Sequence, residues 1–353
     1  IKSAQNTAFG KDHCFEEIMS YEDFKARVPV VDYEKIKSYI ERIQEGEKDV
    51  LWPETPLYFC KTSGTTSGAK YIPISKESMP FHIKCAKDAI LSYVAETGNT
   101  NALSGGNIFI QGSPELDESN NIPIGRLSGI VAHYVPWFLQ SSNFPSFKTN
   151  CIEDWEEKLS VIIDETLHQN MTLISGIPPW VQMYFEKIVA KTGKQISEIF
   201  PNFSLFVFGG VAFEPYRESF KQLIGKNVPC VETYPSSEGF IAYQDSQQEE
   251  GMLLCVNHGI FYEFIPVDEY FDKNPTRISL DDVKLGVDYA LILNTNAGLW
   301  GYSIGDTIRF VSKKPFRLIV SGRIKHFTSA FGEHVIGKEV ESALMFTLEK
   351  YPA

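Results

Sequence analysis

Seven consecutive residues of hydroxyl and glycine, Thr62 to Gly68, occupy the middle of "YFCKTSGTTSGAKYIPIS", and Lys70 follows directly after Ala69. Successive backbone N–H groups in a glycine-rich turn form a nest for an anion, and serine and threonine hydroxyls add donors. A lysine nearby suits phosphate as a point charge. The P-loop pattern G-x-x-x-x-G-K-[ST] does not fit, because Ala69 stands at its second glycine and Tyr71 at its metal-binding hydroxyl. The residues after Lys70 also read as a strand, whereas a P-loop opens onto a helix. The stretch reads as a phosphate loop of another kind, with Ser63, Gly64, Thr65, Thr66, Ser67, Gly68 and Lys70 as its candidates. The competing reading is a tight turn with no ligand.

Three later stretches carry further candidates. "VETYPSSEGFIAY" places Tyr234, Ser236, Ser237 and Glu238 just after a strand. The tyrosine ring can stack on a flat base, and the carboxylate can hold a magnesium ion through oxygen. Each taken alone is an ordinary core aromatic and a solvated charge. "GLWGYSIGDTIRF" sets Asp306 after a glycine at a strand start, where it can accept from both hydroxyls of a ribose or simply stabilise a turn. "IVSGRIKHFTSAFGEHV" puts Arg323, Lys325 and His326 at the exit of the last strand, a basic turn that is usually just solvated.

The elements that must position these residues change texture along the chain. "SYED" is a capping-box pattern, and a periodic helix is expected from Asp32 to Gly46. Strands "LYFCKT" and "KYIPI" flank the loop, and a helix is expected from Lys76 to Glu96. "NIFIQ", "MTLIS" and "SLFVF" read as buried strands. A helix begins at Asp154, another opens with Pro178-Pro179 and stops at Gly193, and a third lies near Glu214–Leu223. Such alternation predicts α/β architecture with layered, mostly parallel sheets up to about residue 227. From 228 to 321, "VPCVET", "MLLCV", "IFYEFIP", "YALILN", "DTIRFV" and "FRLIV" predict a β-barrel-like subdomain. Residues 322–353 read as a hinge and the start of a small C-terminal domain that breaks off. The first residue is not methionine, so the start of the protein is expected to lie further upstream.

Thirty-three basic against forty-five acidic residues give the 353-residue chain a formal charge of −12, which argues against nucleic acid or an anionic membrane as partner. No apolar run reaches the length of a membrane helix. Cys14, Cys60, Cys85, Cys151, Cys230 and Cys255 are widely spaced with no disulfide or zinc pattern, and read as reduced core residues of a cytoplasmic protein.

The order of the four motifs resembles the adenylate-forming superfamily of acyl-CoA synthetases, firefly luciferase and peptide-synthetase adenylation domains. It is most similar to the auxin-responsive acyl acid–amido synthetase family in its bacterial form, over nearly the whole chain. "TSGTTSGAK", "YPSSE", "YSIGD" and "GRIKHFTSAFGEHVIGKEVE" carry the resemblance, with "WPETPLYFCKTSG" and "LISGIPPW" beside them. It departs at Pro235, where a small residue is usual, and at Ser303, where the plant enzymes usually have arginine.

The resemblance implies residues 1–321 as the large N-terminal adenylation domain, and ATP-dependent activation of a carboxylic acid as its acyl-adenylate, followed by transfer to an amine such as an amino acid. It assigns the loop and Lys70 to the phosphates, Glu238 to Mg²⁺, the Tyr234 ring alone to adenine and Asp306 to the ribose. It also implies backbone approach of the nucleotide at Gly209 and Gly210, nucleotide contacts by Ser236, Ser237, Arg323 and Lys325, and reorientation of the small domain about Lys325 and His326. Trp180, Met183 and Tyr184, with His133 and Trp137, are candidates for the acyl pocket, though each reads more readily as plain core. The alternatives are coenzyme A as acceptor, or nucleotide binding without catalysis.

Overall fold

Strands form where β-branched and aromatic residues run between turn-formers, as in "MTLISG" and "IFYEFIP". The computed structural model describes residues 1–63 and 69–324, with two further short strands at Thr328–Ala330 and Glu333–Val335. The strands, in chain order, are β1 (Tyr58–Ser63), β2 (Ala69–Ile74), β3 (Gly106–Ile110), β4 (Asp117–Ser119), β5 (Ile122–Gly125), β6 (Asn143–Phe144), β7 (Met171–Gly176) and β8 (Leu205–Gly209). There follow β9 (Cys230–Ser236), β10 (Gly239–Tyr243), β11 (Met252–Leu254), β12 (Ile260–Pro266), β13 (Asp288–Thr295), β14 (Tyr302–Lys313) and β15 (Phe316–Arg323).

Eleven of these make one sheet, in the order β12-β13-β14-β15-β11-β10-β9-β8-β7-β3-β6. From β9 to β6 every pairing is parallel; from β12 to β9 every pairing is antiparallel. The barrel-like subdomain expected for 228–321 is therefore the antiparallel half of the same sheet, and the two textures meet at β9. Helices Trp155–Thr166 and Pro178–Thr192 share a buried core with the parallel half, and helix Met79–Thr97 packs on β9 and β10.

A second sheet, β2-β1-β5-β4, holds the loop. Ser63 pairs with Ala69 and Thr62 with Lys70, so residues 64–68 bridge two antiparallel strands rather than open a helix. The polar segment after β3 contains a hairpin not foreseen from sequence, turned by Asn120 and Asn121 in left-handed conformation (φ 46° and 62°), which asparagine tolerates. Helix starts follow their caps: the Asp32 and Asp154 side chains accept from Lys35 N–H and Glu157 N–H, and Gly193 ends its helix at φ 69°. Among the described residues no helix is long and apolar enough to cross a membrane.

Candidate active site

Glu238 is presented by a tight turn. β9 and β10 form an antiparallel hairpin in which Ser236 pairs with Gly239, leaving Ser237 and Glu238 as the two turn residues. The Ser236 hydroxyl donates to Gly239 O (3.1 Å), and Cys60 Sγ in β1 donates to the Ser237 hydroxyl (3.0 Å). That contact seats the turn beside the β1–β2 strands that carry the loop.

Burial raises the Glu238 carboxyl above its ordinary value, opposed by its own N–H and the Ser236 hydroxyl; Asp306 raises it further and Lys70 lowers it. The Glu238 charge in turn is felt by Cys60, Tyr234 and Tyr302. The Cys60 thiol is pushed up to about 12, chiefly by burial. Lys70 itself lies over the Tyr33 ring, with Nζ 5.6 Å from its centre.

Asp306 sits in β14, opposite Arg323 in β15. The Tyr234 hydroxyl donates to Asp306 Oδ2 at 2.6 Å. Arg323 Nε lies 2.9 Å from Oδ1, yet that oxygen is buried with no aligned hydrogen-bond donor. Burial raises the Asp306 carboxyl, against the opposing effects of Arg323 and Tyr234. The arginine is mostly exposed and covers a carboxylate beneath it. The Tyr234 hydroxyl is thus engaged with Asp306, and its ring lies in the buried cluster with Ile241, Leu254 and Ile308.

The described part of the motif set thus comes together: Lys70, Ser236, Ser237, Glu238, Tyr234, Asp306 and Arg323. Gly64, Thr65, Thr66, Ser67, Gly68, Lys325 and His326 lie outside the described residues, as does the side chain of Ser63. Gly209 has a packing reason of its own, since a Cβ there would stand 2.5 Å from Thr233 O; Gly210 needs its freedom for φ +82°. The acyl-pocket candidates divide. Tyr184 is fully buried with its hydroxyl on Thr166 (2.7 Å), which makes it core and not a pocket wall. His133 Nε2 is 2.8 Å from Pro114 O and Trp180 packs on Trp155, whereas Trp137 is exposed. At the departure position, the Ser303 hydroxyl accepts from Tyr270 (2.9 Å).

Glu238 offers one hard oxygen ligand, and among the described residues no group of three His, Cys, Asp or Glu ligand atoms gathers around it. That donor set fits Mg²⁺, which takes one or two carboxylates and completes its shell with water and phosphate oxygens.

An α/β chain with a Tyr–Glu turn facing a Gly-Asp strand has the fold of the adenylate-forming enzymes. A 2-hydroxyisobutyryl-CoA ligase in complex with 2-HIB-AMP superposes with a TM-score of 0.60 at 14% identity, over 97% of this chain and 69% of that one. GH3.15 acyl acid amido synthetase superposes with a TM-score of 0.79 at 16% identity, over 99% and 71%. Within that class the chain belongs to the GH3 family: the GH3 family N-terminal domain matches residues 1–146 and 113–230, and the GH3 family central domain matches 253–323. Jasmonoyl–L-amino acid synthetase JAR4 of Nicotiana attenuata is 23% identical over 81% of this chain, and indole-3-acetic acid-amido synthetase GH3.15 of Arabidopsis thaliana 24% over 82%. The chain spans 60% of the length of each of these two relatives.

Proposed function

We propose that the protein uses ATP to activate a small carboxylic acid as its acyl-adenylate and then passes the acyl group to an amine, an amino acid by analogy with its relatives. A carboxylate oxygen attacks the α-phosphorus and the bond to pyrophosphate breaks. The amine nitrogen then attacks the acyl carbon, AMP leaves, and the nitrogen loses a proton. Catalysis of this kind rests on positioning and charge neutralisation more than on covalent work by the protein.

The observation that carries this reading is the meeting of Glu238, Tyr234 and Asp306 beside the strands that hold the glycine–hydroxyl loop. The loop hydroxyls and N–H groups, with Lys70, take the β- and γ-phosphates. Asp306, held by Tyr234, takes the ribose hydroxyls once Arg323 swings off its free oxygen. Mg²⁺ held by Glu238 would supply charge neutralisation as pyrophosphate departs. Lys325 and His326 act as the hinge between the two half-reactions. Six free cysteines fit a cytoplasmic setting.

Pyrophosphate exchange by the whole protein across a panel of carboxylic acids tests this reading. Acid-dependent exchange, followed by amide formation with amino acids, supports it. Acyl-CoA formation instead would move the acceptor to a thiol, and nucleotide binding with no exchange for any acid would count against adenylation.

A further inference from the structure

Cys85, Cys255 and His258 bring two thiols and an imidazole nitrogen within 4.8 Å of one another, away from the candidate active site. Cys85 lies on helix Met79–Thr97, and Cys255 directly follows β11. His258 is in the turn after it, where its ring meets Phe81 of the same helix edge-on at 5.3 Å. Both cysteines are buried, in a core cluster with Tyr93, Leu205, Phe240 and Tyr243. His258 Nδ1 is buried with no hydrogen-bond partner, so one ring nitrogen is unused by the protein itself. The backbone is already fixed: Cys255 N–H donates to Ile241 O (2.9 Å), and the Tyr262 hydroxyl to Cys255 O (3.2 Å).

We propose that Cys85, Cys255 and His258 bind a zinc ion that staples this helix to the antiparallel half of the sheet. Two thiolates, one neutral imidazole and Zn²⁺ carry no net charge, so the complex suits an apolar pocket that would penalise either thiolate alone. Zinc–sulfur and zinc–nitrogen bonds of about 2.3 and 2.0 Å bring ligand atoms to under about 4 Å apart, within a small side-chain adjustment of the observed spacing. Water fills the fourth position, since Asp88, one helical turn beyond Cys85, is paired with Lys84. Binding expels two thiol protons, so affinity rises with pH. The soft sulfur donors also separate this site from the hard oxygen of Glu238. Sequence spacing concealed it, because the ligands come from two distant segments.

The test needs no enzymatic readout. Untagged protein purified under reducing conditions, stripped with chelator and titrated with Co²⁺, should take up one equivalent. It should show thiolate-to-cobalt charge-transfer absorption that Zn²⁺ displaces, and zinc should raise Tm. His258→Ala, at a partly exposed position, should weaken Zn²⁺ binding at least 10-fold, and Cys85→Ser should lower the charge-transfer band by about half or more. Absence of that band in the reduced wild-type protein would overturn the proposal whether or not the variants fold. So would a band of undiminished intensity in Cys85→Ser, or a native Cys85–Cys255 disulfide found by mass under non-reducing conditions.

Discussion

Two regions of the molecule bury carboxylates, and they treat them in opposite ways. Glu263, in β12, is fully buried and surrounded by donors: Tyr21 hydroxyl (2.9 Å), Arg277 Nη2 (2.7 Å) and Nε (3.2 Å), and Asn294 Nδ2 (2.9 Å). Arg277 also donates to Val28 O, so the network ties helix Tyr21–Arg27 to the edge of the large sheet. Glu238 and Asp306 have fewer partners: Asp306 raises the Glu238 carboxyl, and among the described residues Asp306 Oδ1 has Arg323 Nε at 2.9 Å but no aligned hydrogen bond. Glu263 and Asp306 are buried and Glu238 is half-buried, but only the second arrangement leaves a buried oxygen without an aligned hydrogen bond among the described residues. Burial alone therefore does not mark the site; incomplete satisfaction does.

The largest effect expected from breaking this contrast is on the Glu263 side. Glu263→Ala leaves Arg277 buried without its partner and should cost about 3–5 kcal/mol in denaturant unfolding. A loss below about 1 kcal/mol would mean that the network is not structural. Next comes Tyr234→Phe, which removes the hydrogen bond that Tyr234 donates to Asp306 Oδ2, the one donor to that oxygen among the described residues. About 1–3 kcal/mol should be lost from stability or from nucleotide binding, measured by melts and by titration calorimetry; no change in either would return Tyr234 to the role of a bare ring.

A smaller effect concerns pH. The folded chain binds the Glu238 proton more tightly than the unfolded chain, because burial raises this carboxyl above its ordinary value of 4.5. Stability from this group is therefore lost as pH rises through the window from 4.5 to the raised folded value. Glu238→Gln removes that slope. In melts without metal or nucleotide, its Tm relative to wild type should be highest at neutral pH and fall as pH drops toward 4.5. A difference that grows on acidification would reverse the sign. Smallest is Arg323→Ala. Its side chain is 62% exposed, so the pair with Asp306 should contribute under about 1 kcal/mol to stability, while the uncovered carboxylate should bind nucleotide at least as tightly as before.

The strands that carry the site were legible because β-branched runs and turn-formers are local signals. "IFYEFIP" is a strand from Ile260 to Pro266, and the helix opening at Pro178 ends at Thr192 before Gly193. Joining the two textures into one sheet was not legible, since it rests on β9 pairing in parallel with β8 and antiparallel with β10. The same holds within the site. Motif order singled out Tyr234, Glu238 and Asp306, but the bond between Tyr234 and Asp306 spans 72 positions and has no local signature. Glu263 shows the reverse failure: it reads as one polar residue in an apolar strand, and its meaning comes from Tyr21, Arg277 and Asn294, each on a different segment.

On the proposed function, the Glu238 carboxylate is held for chemistry at a cost to the fold, whereas Glu263 is held for the fold. Glu238→Gln in the whole protein tests it with two readouts on one sample. Acid-dependent pyrophosphate exchange should fall on the order of 10²-fold or more, recovering in part at high Mg²⁺, while Tm at neutral pH stays at or above wild type. Exchange at the wild-type rate with unchanged magnesium dependence, together with a Tm lowered as far as in Glu263→Ala, would contradict the account and make Glu238 a structural residue.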